Sequence, residues 1–255
     1  MNRYFYKITN HLKNVKSAIR FRLIHFLSLE QGVIFKTANL IAAEKVEGDY
    51  IEFGVYSGGS FIEAFNTLKH ALGPYQKLHG ERTKKDKDEM KRLWNNMRFI
   101  AFDSFQGLPQ LEGIDNEAHD FAKGKYTCYE EIFRKNLKDR GVSLDKVIVV
   151  PGLFDDTCTE YTIEKHNIKK AAVVHIDCDL YASTKTALEF IKPLLTDGTI
   201  IIFDDWFCFR GNPNLGEQRA FSEWKETMSD WIFSEYQKAG PWTNSFIANK
   251  RDLNR

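Results

Sequence analysis

The chain alternates short, almost unbroken apolar runs with longer stretches in which apolar residues recur every three or four positions. From residue 49 the runs are YIEFGV, RFIAFDSF, KVIVVPG, AAVVHIDCD and TIIIFDDW, followed by WIFSEYQ and NSFIANK. A strand buried on both faces has no polar alternation, so the central Val-, Ile- and Phe-rich runs predict a parallel sheet covered by helices on both sides. Only the turn region KAGPWT separates the last two runs, too few residues for a crossover helix, which predicts an antiparallel pair at one sheet edge. The fold class is therefore α/β: a doubly wound, mostly parallel seven-stranded sheet with an antiparallel last strand.

Two segments depart from this rhythm. Residues 1–45 hold eight Lys or Arg against two acidic residues, with Phe5, Ile8, Leu12, Val15 and Ile19 at helical spacing. They predict a basic helical N-terminal arm, packed on its own domain or a sister subunit rather than on a membrane surface, ahead of one folded domain over 46–255. Residues 74–98 open with Gly and Pro and are dense in charge, the pattern of a solvated helix and loop. A further aromatic-bearing segment after the second run, QGLPQLEGIDNEAHDFAKGKYTCYEEIF, is placed to fold over the C-terminal end of that strand.

Charge narrows the function. Thirty-six Lys and Arg nearly balance 35 Asp and Glu, so no global field favours nucleic acid, and function must reside in a site. No apolar run reaches the length of a membrane span, and Cys128, Cys158, Cys178 and Cys208 lie too far apart for a zinc or redox motif, as expected of free thiols in the cytoplasm.

In a doubly wound sheet, ligands sit outside the C-terminal strand ends, where a strand-to-helix turn without side chains lets backbone N–H groups approach them. Gly54, Gly58 and Gly59 supply such a turn, with Tyr56, Ser57 and Ser60 around them as further cofactor candidates. The spacing is not that of a dinucleotide fingerprint, and Glu52 in the preceding strand suits a cationic ligand better than a pyrophosphate. S-adenosylmethionine, with its sulfonium and ammonium groups, meets that requirement. Asp103, followed by Ser104, is placed to accept ribose hydroxyls; taken singly, Glu52 or Asp103 is more often a turn or cap residue. In PGLFDDT, Phe154 is a candidate cover for an adenine and Asp156 an acceptor from its amino group, while Asp155, Asp156 and Thr157 read alternatively as a helix start.

HIDCDLY and IIFDDW bring Asp177, Asp179, Asp204 and Asp205 to adjacent strand tips. Clustered carboxylates repel unless a cation holds them, and oxygen-only ligands favour Mg²⁺, or Mn²⁺, over zinc. Asp177, Asp204 and Asp205 are assigned to the metal, with Asp177 also the candidate catalytic base. Asp179 is read as an N-cap or a hydrogen-bonding support. A divalent ion beside a methyl donor can grip neighbouring hydroxyls and lower the pKa of one, which is the chemistry of O-methylation. Asp179, Tyr181, Glu217 and Arg219 are candidate acceptor contacts; the stretch with Glu217, Gln218 and Arg219 reads equally as an exposed helix start. His175 lies inside a buried run and reads as a core residue.

Taken together, YIEFGVYSGGS, AFDSFQGLP, PGLFDDT, HIDCDLYASTKTAL with GTIIIFDDW, and GEQRAF resemble the macrocin O-methyltransferase family, whose members methylate sugar hydroxyls on macrolides and related glycosides. The resemblance spans about residues 49 to 225. It implies a Rossmann-like class I methyltransferase fold, S-adenosylmethionine as donor, a Mg²⁺ ion at Asp177, Asp204 and Asp205, a small-molecule or saccharide acceptor, and a homo-oligomer. Catechol-like phenols are the alternative acceptors, and a non-catalytic nucleoside-binding protein is the alternative of another class. Neither the arm at 1–45 nor the insert at 74–98 has a counterpart in the family pattern.

Overall fold

The computed structural model describes residues 32–73, 83–117 and 121–251. Five short strands form the parallel part of the sheet: β1 (Asp49–Phe53), β2 (Phe99–Asp103), β3 (Val147–Pro151), β4 (Ala171–Ile176) and β5 (Thr199–Phe203). A hairpin of β6 (Trp231–Ala239) and β7 (Thr243–Lys250) completes it. Across the described residues the order is β3-β2-β1-β4-β5-β7-β6. β7 pairs antiparallel with both β5 and β6, so the hairpin lies at the edge as expected, with its second strand on the inside. The strand order reverses between β1 and β4, which opens a crevice at their C-terminal ends.

Side chains alternate between two apolar layers. Tyr50, Phe99, Ala101, Ile200 and Ile202 face one cluster, with α1 (Val33–Glu44), α2 (Gly59–Leu72) and α3 (Lys84–Asn96). Ile51, Phe53, Ile100, Phe102, Val174 and Phe203 face the other, with α7 (Tyr181–Ile191) and α8 (Gly216–Glu226). The remaining helices, α4 (Glu130–Asp139), α5 (Phe154–Thr157) and α6 (Glu160–Lys165), connect the strands of the β3 side.

The five apolar positions of the basic arm lie outside the described residues. The end of that arm is α1, whose Val33, Ile34, Ala38, Ile41 and Ala42 are buried in the core. Within the charged insert, Thr83 and Asp86 form a capping box at the start of α3, and only Met90 and Leu93 of that helix are buried. This is the solvated helix its composition predicted; residues 74–82 lie outside the described residues. Among the described residues no helix is long and apolar enough to cross a membrane, and all four cysteines are free.

Candidate active site

A cavity of roughly 680 Å³ lies over the strand tips, within the range of small-molecule sites. Gly54, Tyr56, Asp103, Ser104 and Phe154 line one side of it and Asp177, Asp179, Asp204 and Asp205 another. The segment after β2 covers it, with Leu108, Asp115 and Tyr126 in the wall, and is cross-braced by Leu108 N to Lys125 O and Gly124 N to Leu108 O, both 2.9 Å.

The turn after β1 is glycine for a backbone reason. Gly54 has φ +85°, and a Cβ there would come 1.8 Å from the carbonyl oxygen of Asp177, so the approach of β1 to β4 at the crevice excludes any other residue. Asp103 stiffens the same turn: Oδ2 accepts from Val55 N at 2.8 Å and Tyr56 N at 2.9 Å, and Oδ1 from Phe105 N at 2.7 Å. A carboxylate has about four acceptor positions, so one remains for a ligand. Ser104 bridges its own loop through Gly107 O and Gln106 N. Phe154 meets Phe53 edge to face at 5.6 Å.

Several predicted residues take other positions. Ser57, Gly58 and Ser60 do not line the cavity: the Ser57 carbonyl accepts from Asn136 Nδ2, Gly58 packs on the Phe133 ring, and the Ser60 hydroxyl donates to Glu52 Oε1 at 2.6 Å. Glu52 is completely buried and stands apart from the cavity wall. Strand alternation turns it, with Tyr50, into the layer under α2. There it also accepts from the Tyr50 hydroxyl and lies 3.8 Å from His175 Nδ1. Burial by itself would lower the imidazole pKa, but Asp204 and Glu52 on either side hold it well above its ordinary value. The basic group beside Glu52 in the structure is therefore His175. One residue along α5, Asp155 lines the cavity while Asp156 is exposed outside it.

The acidic wall is crowded. Burial, then the neighbouring Asp204, lifts the Asp177 carboxyl well above its usual range. Burial, then Asp205 and Asp177, pushes Asp179 up to about 9. Asp204 is lowered despite its burial, by His175 and by the Thr243 hydroxyl, which donates to Oδ1 at 3.1 Å. Asp205 Oδ1 faces Cys208 Sγ at 3.2 Å, and its Oδ2 is buried without a partner. Such an orphaned carboxylate oxygen among three other aspartates fits a hard dication in donor chemistry. The expected ready-made triad is not present: among the described residues no three His, Cys, Asp or Glu side chains form a group that could hold a metal ion as they stand. As they stand, Asp204 is engaged by the Thr243 hydroxyl and Asp205 by the Cys208 thiol.

Asp179 is not the N-cap of α7. It sits at φ +62°, and the cap is supplied from the covering segment by Asp115, which accepts from Tyr181 N at 2.8 Å and Ala182 N at 3.0 Å. Glu217 accepts from Asp205 N at 3.0 Å and is buried behind the wall, its carboxyl raised well above the usual range by burial and by Asp205. Arg219 lies over the Tyr181 ring at 5.2 Å and bonds Glu223, as does the Tyr181 hydroxyl. Glu217, Tyr181 and Arg219 do not line the cavity. Asp115 and Trp242, which do, carried no local signal in the sequence.

A family model described as macrocin O-methyltransferase (TylF) matches residues 88–228, more than half of the chain. The tetracenomycin enzyme "8-demethyl-8-(2,3-dimethoxy-alpha-L-rhamnosyl)-tetracenomycin-C 4'-O-methyltransferase" of Streptomyces olivaceus is 32% identical over 65% of this chain and 56% of its own length. Demethyldecarbamoylnovobiocin O-methyltransferase of Streptomyces niveus is 28% identical over 71% of this chain and 61% of its own. The chain thus spans little more than half the length of these curated relatives. The solved structure of the O-methyltransferase NovP superposes with a TM-score of 0.61 at 21% identity, over 86% of this chain and 78% of that one, so the architecture is the class I methyltransferase fold. With more than half of its residues matched by that family model, the chain belongs to the macrocin O-methyltransferase (TylF) family.

Proposed function

We propose that the protein transfers a methyl group from S-adenosylmethionine to a hydroxyl of a sugar, glycoside or polysaccharide precursor. The observation that carries this reading is one cavity, at the β1/β4 reversal, joining a nucleoside-sized wall of Tyr56, Asp103 and Phe154 to a wall of four aspartates. Asp103 fixes the backbone of the turn and keeps an acceptor position for ribose. Phe154 and Asp155 suit an adenine ring and its amino group. The sulfonium end then lies toward Asp177, whose carboxylate, and not Glu52, is its nearest candidate partner.

Asp177, Asp204 and Asp205 are the residues that would hold Mg²⁺ or Mn²⁺. When bound, such an ion supplies the charge that lowers the pKa of an acceptor hydroxyl. Asp177 is the candidate general base: a carboxyl with a raised pKa is a better match for a hydroxyl proton than an ordinary one. Asp179 lies in the same acidic wall beside Asp205, where it would support that carboxylate when an ion is bound. Leu108, Asp115 and Tyr126, among the described residues after β2, close the cavity over the strand tips. We also read residues 46–255 as the catalytic domain with 1–45 as its helical arm, the protein as cytoplasmic, and the working form as a homo-oligomer.

Phenolic diols are the second acceptor class, because the same acidic wall suits their paired hydroxyls. Calorimetry of S-adenosylmethionine binding with and without Mg²⁺, followed by turnover on glycosides and catechols by the wild type and Asp204→Ala, tests the reading. Metal-dependent methylation of glycosides, lost in Asp204→Ala, is expected. Donor binding without turnover on any acceptor would leave the non-catalytic alternative.

A further inference from the structure

The geometry points to Trp242 as the platform on which the acceptor sugar stacks, a specificity-determining residue of the site proposed above; the inference rests on that reading. Trp242 lies in the turn between β6 and β7, residues 240–242. It is 55% exposed yet forms part of the cavity wall. A large apolar ring left half open to solvent at the end of the cavity that holds Asp204 and Asp205 has no role in the core, whose aromatic packing on this side is carried by Trp206, Phe221 and Phe246.

Its position is fixed to the acidic wall on both sides. The Trp242 carbonyl accepts from Phe207 N at 2.9 Å, two residues past Asp205. The next residue, Thr243, donates its hydroxyl to Asp204 at 3.1 Å. The preceding Pro241 limits the turn backbone, and β6 carries a register shift between Glu235 and Lys238 just before it, a device that re-aims residues beside sites. The Trp242 backbone and the strand tips that carry Asp204 and Asp205 therefore keep a set relation.

Strand order separates this platform from the nucleoside wall. Asp103 ends β2 and Phe154 follows β3, while Trp242 enters from β7 beyond β5, roughly 19 Å from β2 at four strand spacings. A donor seated over β2 and β1 with its methyl group toward β4 leaves the β5–β7 end for the acceptor. A pyranose has the complementary two-sided chemistry. Its hydroxyl edge suits the aspartates, and the weakly positive C–H bonds of its ring face suit the negative face of the indole.

The test is steady-state kinetics of wild type, Trp242→Ala, Trp242→Leu and Trp242→Phe on a panel of methyl and aryl glycosides that includes rhamnosides, with S-adenosylmethionine affinity measured by calorimetry on each variant. Trp242→Ala and Trp242→Leu should raise acceptor KM about tenfold, the equivalent of one stacked ring. Trp242→Phe should recover most of that loss, and donor affinity should stay within about twofold. Wild-type turnover with KM unchanged in Trp242→Ala and Trp242→Leu overturns the platform alone. Wild-type protein that methylates no glycoside overturns the reaction proposed above, and the platform with it.

Discussion

His175 and Glu52 form a buried ion pair, Nδ1 to Oε2 3.8 Å apart, with both side chains almost completely excluded from water. The acid that composition and position had aimed at a cationic cofactor is thus matched by a cation of the protein's own. Removing one member of such a pair leaves the other charge buried and alone, which typically costs about 3–5 kcal/mol. His175→Leu is expected to lose stability of that order in urea unfolding. Glu52→Gln should leave S-adenosylmethionine affinity within about threefold by calorimetry; a loss of tenfold or more would return Glu52 to the cofactor site.

Gly54 and Gly59 make opposite predictions although both belong to the glycine turn. A methyl group on Gly54 meets the Asp177 carbonyl at 1.8 Å in a positive-φ conformation, whereas one on Gly59 meets nothing within 4 Å. Gly54→Ala should destabilise by more than about 3 kcal/mol, beyond the usual range of single substitutions, and abolish donor binding. Gly59→Ala, at the first position of α2, should stay within about 1 kcal/mol of wild type. Equal effects of the two substitutions, read by urea unfolding, would refute the close approach of β1 to β4 as the reason for glycine.

The strands were legible because each central run is buried on both faces and so carries no competing polar signal. The aspartates of β4 and β5 were legible for the same reason, since each directly follows such a run. What escaped was decided by phase and by distant chain. Glu52 differs from a cavity-facing acid only in which side of the pleat it occupies, and Asp155 from Asp156 only by one step around the short α5. Asp115 and Trp242 reach the cavity from a long loop and a hairpin turn, where neither period 2 nor period 3.6 marks the residue that points inward. The ready-made metal triad failed to appear because adjacency of strand tips brings carboxylates to one wall without setting their rotamers.

The acidic wall makes stability depend on pH. In protein stripped of divalent ions with EDTA, Asp177, Asp179, Asp205 and Glu217 all bind protons more tightly than ordinary carboxyls, through burial and then mutual crowding. Above about pH 4 the unfolded chain has lost these protons while the folded one retains them, so stability falls as pH rises, up to the value of about 9 at Asp179. The raised His175 adds a loss of the same sign above about pH 6.5. Thermal unfolding in EDTA is expected to show Tm falling by about 5 °C or more between pH 5 and pH 9. Millimolar Mg²⁺ should restore much of it at pH 8, because an ion that binds the ionised carboxylates stabilises the folded state. A flat profile, or no response to Mg²⁺, counts against both the crowding and the metal assignment.

Asp155 and Asp156 separate the nucleoside wall from the surface beside it. Asp155 lines the cavity next to Phe154, and its Oδ1 accepts from the Thr186 hydroxyl at 3.1 Å, which ties α5 to α7. Asp156 stands exposed outside the cavity. A lost hydrogen bond from an adenine amino group to a carboxylate is worth about 1.5–3 kcal/mol, so Asp155→Ala should weaken S-adenosylmethionine binding by roughly ten- to a hundredfold. Asp156→Ala should leave it unchanged. Thr186→Val removes the tie to α7 without touching the carboxylate, and a small loss there beside a large one in Asp155→Ala assigns the effect to the ligand rather than to the packing of α5. The reverse order, with Asp156→Ala the more damaging by calorimetry, would mean that α5 presents its other face to the bound nucleoside.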